Sequence, residues 1–255
     1  MNILVLIAGL ADPKWPLPAA TNATALQAHG ERYAVLSPFD EAALELALKL
    51  RDGNPAVALH ALVAGTEGLA RKVAEWRLDS VHRITCDAAA WDAPAFAGAM
   101  AGAASALLAD PALVLSGREF GDFDDGALPP LLARALRLPH VGLAIGVVIR
   151  DDRVWATRQR AGRIERVRLE GPALLSVTND AQNRLRHPLL KNVMAARKLR
   201  IETLSASAMV ASASLMDLQP PPAPERGSAC RMLSGTVLEQ ADALAQLLLE
   251  EGAGA

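Results

Sequence analysis

The sequence has few cysteines, few aromatic residues and no long apolar run, and these scarcities exclude several classes of protein. Its two cysteines, Cys86 and Cys230, provide neither a disulfide framework nor the spacing of a metal site. No apolar run approaches the ~20 residues that a membrane-spanning helix needs. A formal charge of −2 leaves no basic surface of the kind that binds nucleic acid. We expect a soluble protein of a reducing compartment, in the cytoplasm.

Motifs that mark catalytic or metal-binding sites are also missing. The chain has no GxGxxG after its first apolar run, no Walker-type lysine loop, no GxSxG and no HExxH. Its five histidines are scattered, and most unclustered histidines are ordinary surface or core residues. We therefore predict no catalytic residue and no metal site, and we expect no independent enzymatic activity.

Apolar strands and amphipathic helices alternate through the first half of the chain. The run NILVLIAG predicts a first strand buried on both faces of a sheet rather than a signal peptide. Residues 12–30 look turn-rich, because prolines and asparagines interrupt any period. The next segment, SPFDEAALELALKLRDG, predicts a helix that is capped by Ser37 or Asp40 and stopped by Gly53. Further strands are predicted at 56–63, 80–85 and 112–116, and further helices at 67–76, 94–109 and 131–137.

The pattern changes in the second half. Residues 142–150, 153–159 and 163–169 alternate between apolar and polar residues and predict antiparallel strands. A short basic helix at 192–200 precedes the proline-rich stretch QPPPAPERGSA, and an amphipathic helix at 236–251 follows it. We predict an α/β fold with a doubly wound, mostly parallel sheet, an antiparallel insertion and a C-terminal helical arm.

The stretch GREFGDFDDGALPP, residues 117–130, has three aspartates within four positions directly after a predicted strand. Ligands of open α/β sheets bind beyond the carboxyl ends of strands, and the N-terminus of a following helix favours a phosphate. The aspartates are suited to accept hydrogen bonds from ribose hydroxyls or backbone amides, or to cap the helix; a bound cation is a weaker alternative. A solvated acidic turn stays open as the simpler interpretation.

Four segments together carry a resemblance to a known family. The first segment is the predicted strand NILVLIAG, and the second is the predicted helix start SPFDEAALELALKL. The third, GREFGDFDDGALPP, follows a later strand, and the fourth, LLKNVMAARKLRIETL, follows the antiparallel strands. In this order and spacing they resemble the β subunit of electron transfer flavoproteins, including its nitrogen-fixation-associated homologues. The resemblance runs nearly end to end.

The resemblance implies an electron carrier that works with partners. Members of this family pair with an α subunit that holds most of the FAD. They accept electrons from flavin dehydrogenases and pass them towards the respiratory chain through a quinone oxidoreductase. The β subunit binds AMP in ordinary carriers and a second FAD in the electron-bifurcating branch. Residues 1–218 would then form an adenine-nucleotide-binding α/β domain, and 219–255 the proline-rich linker and an arm helix that packs on the α subunit.

The same resemblance implies cofactor-binding residues at four places along the chain. They are Leu6, then Ser37, Pro38, Phe39 and Asp40, then Ala64, and then Gly117, Asp122, Asp124, Asp125, Gly126, Ala127 and Leu128. This last loop departs from the family pattern, because Pro129 replaces a glycine and removes one N–H group. We therefore expect altered or weakened nucleotide binding there.

Two further segments are implied as docking sites for partner proteins. Their residues are Leu189, Leu190, Lys191 and Asn192 in the basic segment, and Leu244, Leu247 and Leu248 in the C-terminal helix. In the family, a leucine at the position of Leu190 inserts into a pocket on the dehydrogenase, while the C-terminal helix reaches the α subunit. Without the resemblance, the basic segment would be a helix start with a solvated charged face.

Two other interpretations stay open. A stand-alone adenine-nucleotide-binding regulator of the universal stress type would have the same kind of α/β core, and it would be stable without the residues after Pro220. A nucleotide-free structural subunit would account for the altered loop.

Overall fold

The computed structural model describes residues 1–18, 22–85, 92–107, 111–121, 126–151, 153–206 and 232–252. The chain divides into two compact units, Met1–Leu218 and Gln219–Ala255. The strands of the first unit are β1 (Asn2–Ile7), β2 (Leu10–Ala11), β3 (Ala34–Val35), β4 (Ala58–Ala64), β5 (Ser80–Ile84), β6 (Pro111–Gly117), β7 (His140–Arg150), β8 (Arg153–Arg160), β9 (Arg163–Leu169), β10 (Ala173–Val177) and β11 (Glu202–Leu204). Its helices are α1 (Ala23–Arg32), α2 (Pro38–Gly53), α3 (Glu67–Ala74), α4 (Ala93–Leu107), α5 (Leu128–Leu136) and α6 (Leu190–Ala196), with a short 3-10 helix at Ala181–Asn183. The second unit contains α7 (Val237–Gly252).

The main sheet has nine strands in the order β11-β5-β4-β1-β6-β10-β7-β8-β9. All pairs from β11 to β7 are parallel. The pairs β7–β8 and β8–β9 are antiparallel and extend the sheet at one side. The predicted fold class, a mostly parallel α/β sheet with an antiparallel insertion, is confirmed.

Helices cover both faces of the parallel strands, and β1 shows why. Its side chains alternate between two separate apolar clusters, as the twofold period of a strand requires. Ile3, Val5 and Ile7 pack in the cluster that contains residues of α2 and α3, whereas Leu4 and Leu6 pack in the cluster with residues of α4 and α5. Because β1 is buried on both faces, its sequence is a continuous apolar run.

The direction of winding reverses next to β1. From β1 the chain continues through α2 to the neighbouring strand β4 and through α3 to β5, and then α4 leads back to β6 on the other side of β1. The carboxyl ends of β1 and β6 therefore form the topological switch point, the place where open α/β sheets bind ligands.

The prediction of a turn-rich segment at 12–30 was wrong for its second half. It contains the start of α1, whose first turn is capped by Asn22: the side-chain oxygen accepts a hydrogen bond from the N–H of Ala25 at 2.9 Å. The strand-like run RYAVL, residues 32–36, forms only the two-residue β3, and β3 pairs with β2 in a separate small sheet. Prolines before Asn22 concealed the helical pattern.

Two helices begin earlier than predicted, and one edge strand of the main sheet was missed. The helix predicted at 131–137 begins at Leu128, because Pro129 in the first turn needs no hydrogen-bond acceptor for its nitrogen. The helix predicted at 192–200 begins at Leu190 and ends at Ala196. The missed strand, β11, has only three residues and lies at the edge of the sheet beside β5.

Candidate functional site

The carboxyl ends of β1 and β6 meet the N-terminus of α2. A Cβ atom on Gly117, the last residue of β6, would lie 2.8 Å from Cβ of Phe39 in the first turn of α2. The same atom would lie 2.8 Å from the carbonyl oxygen of Glu119. Only glycine permits so close an approach of the loop after β6 to α2. The structure thus brings two of the predicted segments together at the switch point.

A capping box fixes the start of α2. The Ser37 hydroxyl accepts a hydrogen bond from the N–H of Asp40 at 2.9 Å, and Oδ2 of Asp40 accepts one from the N–H of Ser37 at 3.1 Å. Pro38 occupies the first helical position, where its missing N–H has no cost. Ser37 and Asp40 both cap the helix, as the sequence suggested.

Asp40 also ties α2 to the end of β1. Its Oδ2 atom accepts a second hydrogen bond, from the N–H of Gly9 at 3.0 Å, and the side chain is fully buried. Its Oδ1 atom has no hydrogen-bond partner among the described residues. Burial raises the pKa of Asp40 to about 6, although nearby N–H groups oppose this shift. The switch point therefore contains a buried carboxyl group, one oxygen of which has no partner in the described part of the chain.

Gly9 lets the chain turn sharply after β1. Its φ angle of +65° lies in the left-handed region, and an added Cβ would lie 2.5 Å from Cδ2 of Leu69 and 2.8 Å from the carbonyl oxygen of Val35. No other residue fits at this position without a backbone shift. The sequence signal, a glycine directly after a buried strand, was present but was not assigned a role.

A second buried polar group was missed at the end of β6. Ser116 is fully buried, and its hydroxyl has no hydrogen-bond partner within the described residues. It lies opposite Leu6 of β1 and Ser176 of β10 in the sheet register. Ser176, by contrast, pairs with Nε2 of His140 at 3.1 Å. A buried hydroxyl normally has a partner, so Ser116 provides a second polar atom near the switch point that the described residues leave unpaired.

The loop that follows β6 is held on both sides. The N–H of Arg118 donates to the carbonyl oxygen of Val177 at 2.8 Å, and its guanidinium lies 5.3 Å from the ring centre of Phe39. Phe120 is fully buried beside Phe96, with their ring centres 6.0 Å apart. Arg118 also pairs with Glu119 but stays partly exposed. It provides a cation at this edge of the sheet.

The predicted cofactor residues differ in their accessibility. Leu6, Ala64 and Leu128 are buried in one apolar cluster, Gly117 and Asp40 are buried at the switch point, and Phe39 is half-buried. Pro38 is exposed, and Gly126 and Ala127 are half-buried before α5. Asp122, Asp124 and Asp125 lie outside the described residues.

The predicted docking residues Leu189, Leu190, Lys191 and Asn192 lie within residues 187–196, which are called the docking loop below. Leu189 and Leu190 are 59% and 77% exposed, and Met194 beside them in α6 is 49% exposed. Lys191 and Asn192 lie in the first turn of α6, where the N–H of Asn192 donates to the carbonyl oxygen of Leu189 at 2.8 Å. The loop presents apolar side chains to solvent from an ordered helical turn, which is unusual for a surface without a partner.

An ion pair with one buried partner, Glu45, holds the segment before the docking loop. Glu45 of α2 accepts hydrogen bonds from Nε and Nη2 of Arg186, the latter at 2.8 Å, and its carboxylate is only 5% exposed. The pairing with Glu45 raises the pKa of Arg186 above its ordinary value. Asp52, about two turns further along the same face of α2, accepts a hydrogen bond from Nη1 of Arg186 at 2.5 Å. Three charged groups thus connect α2 to the docking loop.

In the second unit, α7 has a capped start and an exposed apolar side. The N–H and hydroxyl of Thr236 donate to Oε2 of Glu239 at 2.7 and 2.8 Å. Leu244 and Leu248 are exposed and Leu247 is half-buried within this unit. An apolar stripe of this length on a stable helix needs a surface to pack on.

Two further searches concern metals and membranes. In the described part of the chain, no group of three or more His, Cys, Asp or Glu side chains is arranged to hold a metal ion. Among the same residues, no helix combines the length and the apolar character that crossing a membrane requires.

Comparison with known proteins decides the family. The electron transfer flavoprotein domain matches residues 25–209. The chain belongs to the electron transfer flavoprotein family. The match includes the start of α2, the loop after β6 and the docking loop, so the resemblance seen in the sequence is confirmed.

Relatives within the family carry the same subunit name. The chain is 27% identical over 196 residues to electron transfer flavoprotein subunit beta of Syntrophomonas wolfei, covering 76% of both chains. It is 26% identical to the protein of the same name from Megasphaera elsdenii, over 74% of this chain and 73% of the relative. A mitochondrial subunit beta of Oryza sativa is 26% identical, over 80% of this chain and 82% of the relative.

Proposed function

We propose that this protein is the β subunit of a heterodimeric electron transfer flavoprotein. It accepts electrons from flavin-dependent dehydrogenases and passes them towards the respiratory chain through a quinone oxidoreductase. The observation that carries the proposal is the family match over residues 25–209, which includes the start of α2, the loop after β6 and the docking loop. FAD, held mainly by the α subunit, supplies the redox chemistry when bound. This chain's own residues bind and orient the nucleotide and dock the partner proteins.

The switch point is the proposed site of an adenine nucleotide, AMP or, as the alternative, a second FAD. Two observations fit this ligand: Oδ1 of Asp40 and the hydroxyl of Ser116 both lack a partner among the described residues. The first can accept a hydrogen bond, and the second can donate or accept one. The hydroxyls and the amino group of a nucleoside could supply the hydrogen-bond partners of both atoms. Arg118 offers a positive charge for the phosphate.

The start of α5 fits a phosphate less well. Leu128 and Pro129 are buried there, and Pro129 has no N–H group to offer. The nucleotide would therefore depend more on Arg118 and on the edge formed by Gly117 and α2 than on the N-terminus of α5. We infer AMP rather than a second FAD, because the altered loop removes donors that a longer pyrophosphate ligand would use.

The docking loop and α7 would contact different partners. Leu190 is the proposed anchor for a pocket on the dehydrogenase, with Leu189 and Met194 beside it and Lys191 at the rim. One buried apolar anchor with screened rim charges gives specific but short-lived association, which suits a mobile electron carrier. The leucines of α7 would pack on the α subunit, where apolar burial drives lasting association.

Electron transfer in a purified system tests the proposed function. The chain is co-purified with an electron transfer flavoprotein α subunit from the same genome and mixed with each flavin-dependent dehydrogenase of that genome plus its substrate. We expect at least one dehydrogenase to bleach the flavin absorbance of the heterodimer, and a quinone oxidoreductase to restore it. If no dehydrogenase reduces a flavin-loaded heterodimer, the carrier function is wrong.

A further inference from the structure

The ion pair between Glu45 and Arg186 lies directly before the exposed leucines of the docking loop. We propose that this pair is a positioning device that holds Leu189 and Leu190 in the geometry a partner dehydrogenase recognises. The inference rests on the proposed function, since it assigns a role to residues that contact neither a cofactor nor the partner.

Glu45 lies at a buried position, where a carboxylate loses the free energy of its hydration. It lies in the middle of α2 between core residues, and only 5% of its side chain is exposed. A buried carboxylate needs full compensation by a partner with good geometry. Arg186 supplies it with three donors from a single residue: the backbone N–H at 3.1 Å, Nε at 3.0 Å and Nη2 at 2.8 Å. Glu45 therefore fixes the backbone of Arg186 as well as its side chain.

The carbonyl side of Arg186 is fixed too. Nε1 of Trp76, directly after α3, donates to the carbonyl oxygen of Arg186 at 2.8 Å. Both backbone polar groups of this residue are thus bonded to the core of the domain, one from α2 and one from the end of α3. Only three residues separate Arg186 from the start of α6 at Leu190.

The other end of α6 is held in a similar way. Nη1 of Arg71, in α3, donates to the carbonyl oxygen of Arg197 at 2.8 Å. Glu67 orients Arg71 through an ion pair four residues away on the same helix. The docking loop is therefore held at both ends, while the side chains of Leu189, Leu190 and Met194 between the two holds face solvent.

This arrangement has a functional consequence. The apolar side chains of an unsupported loop would sample many positions, and docking would carry the full entropy cost of ordering them. A loop whose two ends are fixed presents its anchor in one geometry and binds with less loss of freedom. The Glu45–Arg186 pair should therefore affect recognition of the partner more than the rate of electron transfer inside the docked complex.

The test compares variants of the full heterodimer. Glu45→Gln removes the ion pair with an uncharged side chain of the same shape, and the double variant Glu45→Gln/Arg186→Gln removes it without leaving either charge alone. Arg168→Gln, which breaks the exposed ion pair between Arg168 of β9 and Glu170 just after this strand, is the control. Leu190→Ala tests the docking loop itself. The probe is a flavin-dependent dehydrogenase that reduces the wild-type heterodimer.

Two measurements are made on each variant. Steady-state kinetics gives KM for the heterodimer and kcat. Hydrogen exchange follows the amides of Asn192 and Val193, which both donate to the carbonyl oxygen of Leu189. We expect Glu45→Gln and the double variant to raise KM about tenfold with kcat unchanged, and to speed exchange of these amides about tenfold without change in the core strands. Arg168→Gln should change neither quantity.

The outcomes separate the inference from the function on which it rests. If Leu190→Ala raises KM but both Glu45 variants leave KM and exchange at wild-type values, the positioning role is wrong and the docking loop stands. If Leu190→Ala leaves KM unchanged, the docking assignment is wrong, whatever the exchange data show. The inference would also be overturned if kcat of the Glu45 variants fell by the same factor by which KM rose. Such a result would indicate general damage to the protein rather than lost positioning of the loop.

Discussion

The backbone N–H of Gly9 donates a hydrogen bond to Oδ2 of Asp40 at 3.0 Å. This single contact joins the carboxyl end of β1 to the first turn of α2 at the switch point. It also explains the burial of Asp40, because a carboxylate that caps both its own helix and the end of a strand has no route to solvent. The cost of that burial makes the site sensitive to pH.

Asp40 should make the stability of the protein fall as pH rises from about 4 to 6. Its pKa is 3.8 in the unfolded reference and about 6 in the folded protein, so the folded state binds the proton more tightly in this window. The stabilisation is complete below the unfolded pKa and is lost as pH rises through the folded pKa, by about 3 kcal/mol in all. Asp40→Asn removes the titrating carboxyl group and therefore this contribution to the pH dependence of the free energy of unfolding.

The check is urea unfolding of the wild-type protein and Asp40→Asn across that range. Other carboxylates titrate in both proteins, so the informative quantity is the difference between their free energies of unfolding. We expect this difference to change with pH in favour of the variant as pH rises. A difference that stays constant from about pH 4 to 7 would show that Asp40 titrates normally.

Gly117→Ala should damage the switch point. The new methyl group would lie 2.8 Å from Cβ of Phe39 and 2.8 Å from the carbonyl oxygen of Glu119, so the loop or α2 must shift. We expect a loss of about 1–3 kcal/mol in the free energy of unfolding and less nucleotide released from the purified heterodimer. Gly171→Ala is the matched control, because an added Cβ there meets nothing within 4 Å. Equal stability of the two variants would argue against a tight contact at Gly117.

Arg186→Ala should destabilise the protein far more than Arg168→Ala. The first change leaves the buried carboxylate of Glu45 without its partner, whereas the second breaks an exposed pair. Removing one partner of a fully buried pair costs about 3–5 kcal/mol, and because Arg186 is 42% exposed we expect about 2–3 kcal/mol. Arg168→Ala should stay within about 0.5 kcal/mol. Chemical unfolding measures both, and similar values for the two would contradict the geometry described for Glu45.

Polar substitutions on α7 should separate the chain from its α subunit. Leu244→Asp or Leu248→Asp each removes about 2 kcal/mol of apolar burial, roughly a 30-fold loss of affinity, and adds a charge to the interface. Leu249→Asp is the control, because Leu249 lies about 140° around the helix from Leu244. Co-purification with a tagged α subunit measures the effect. Equal retention of all three variants would place the interface elsewhere.

Local patterns predicted much of the fold, because they depend on a few neighbouring residues. The run NILVLIAG identified a strand buried on both faces, and the spacing of Ser37 and Asp40 identified a capped helix. The same reasoning failed for α1, where prolines precede a short helix with a single capping residue, Asn22. It also failed for β11, since three residues carry too little pattern.

The candidate site was less predictable, because its parts come from distant segments. Asp40 was identifiable as a cap, but its burial depends on Gly9, which lies 31 residues earlier. The pair of Glu45 and Arg186 joins residues 141 positions apart, and nothing local to either one indicates a partner. The Ser116 hydroxyl, unpaired among the residues that the structure describes, is recognisable only once β1, β6 and β10 are placed side by side. The predicted cofactor and docking residues stay predictions.

The central claim is that this chain completes a flavin-holding heterodimer, and the composition of that complex tests it most directly. The chain is co-expressed with an electron transfer flavoprotein α subunit from the same genome and purified through a tag on the chain; bound nucleotides are then released with acid and quantified. We predict a 1:1 complex with one FAD and one AMP. Two FAD per complex would indicate the bifurcating branch, and a colourless chain that stays alone in the presence of the α subunit would contradict the claim.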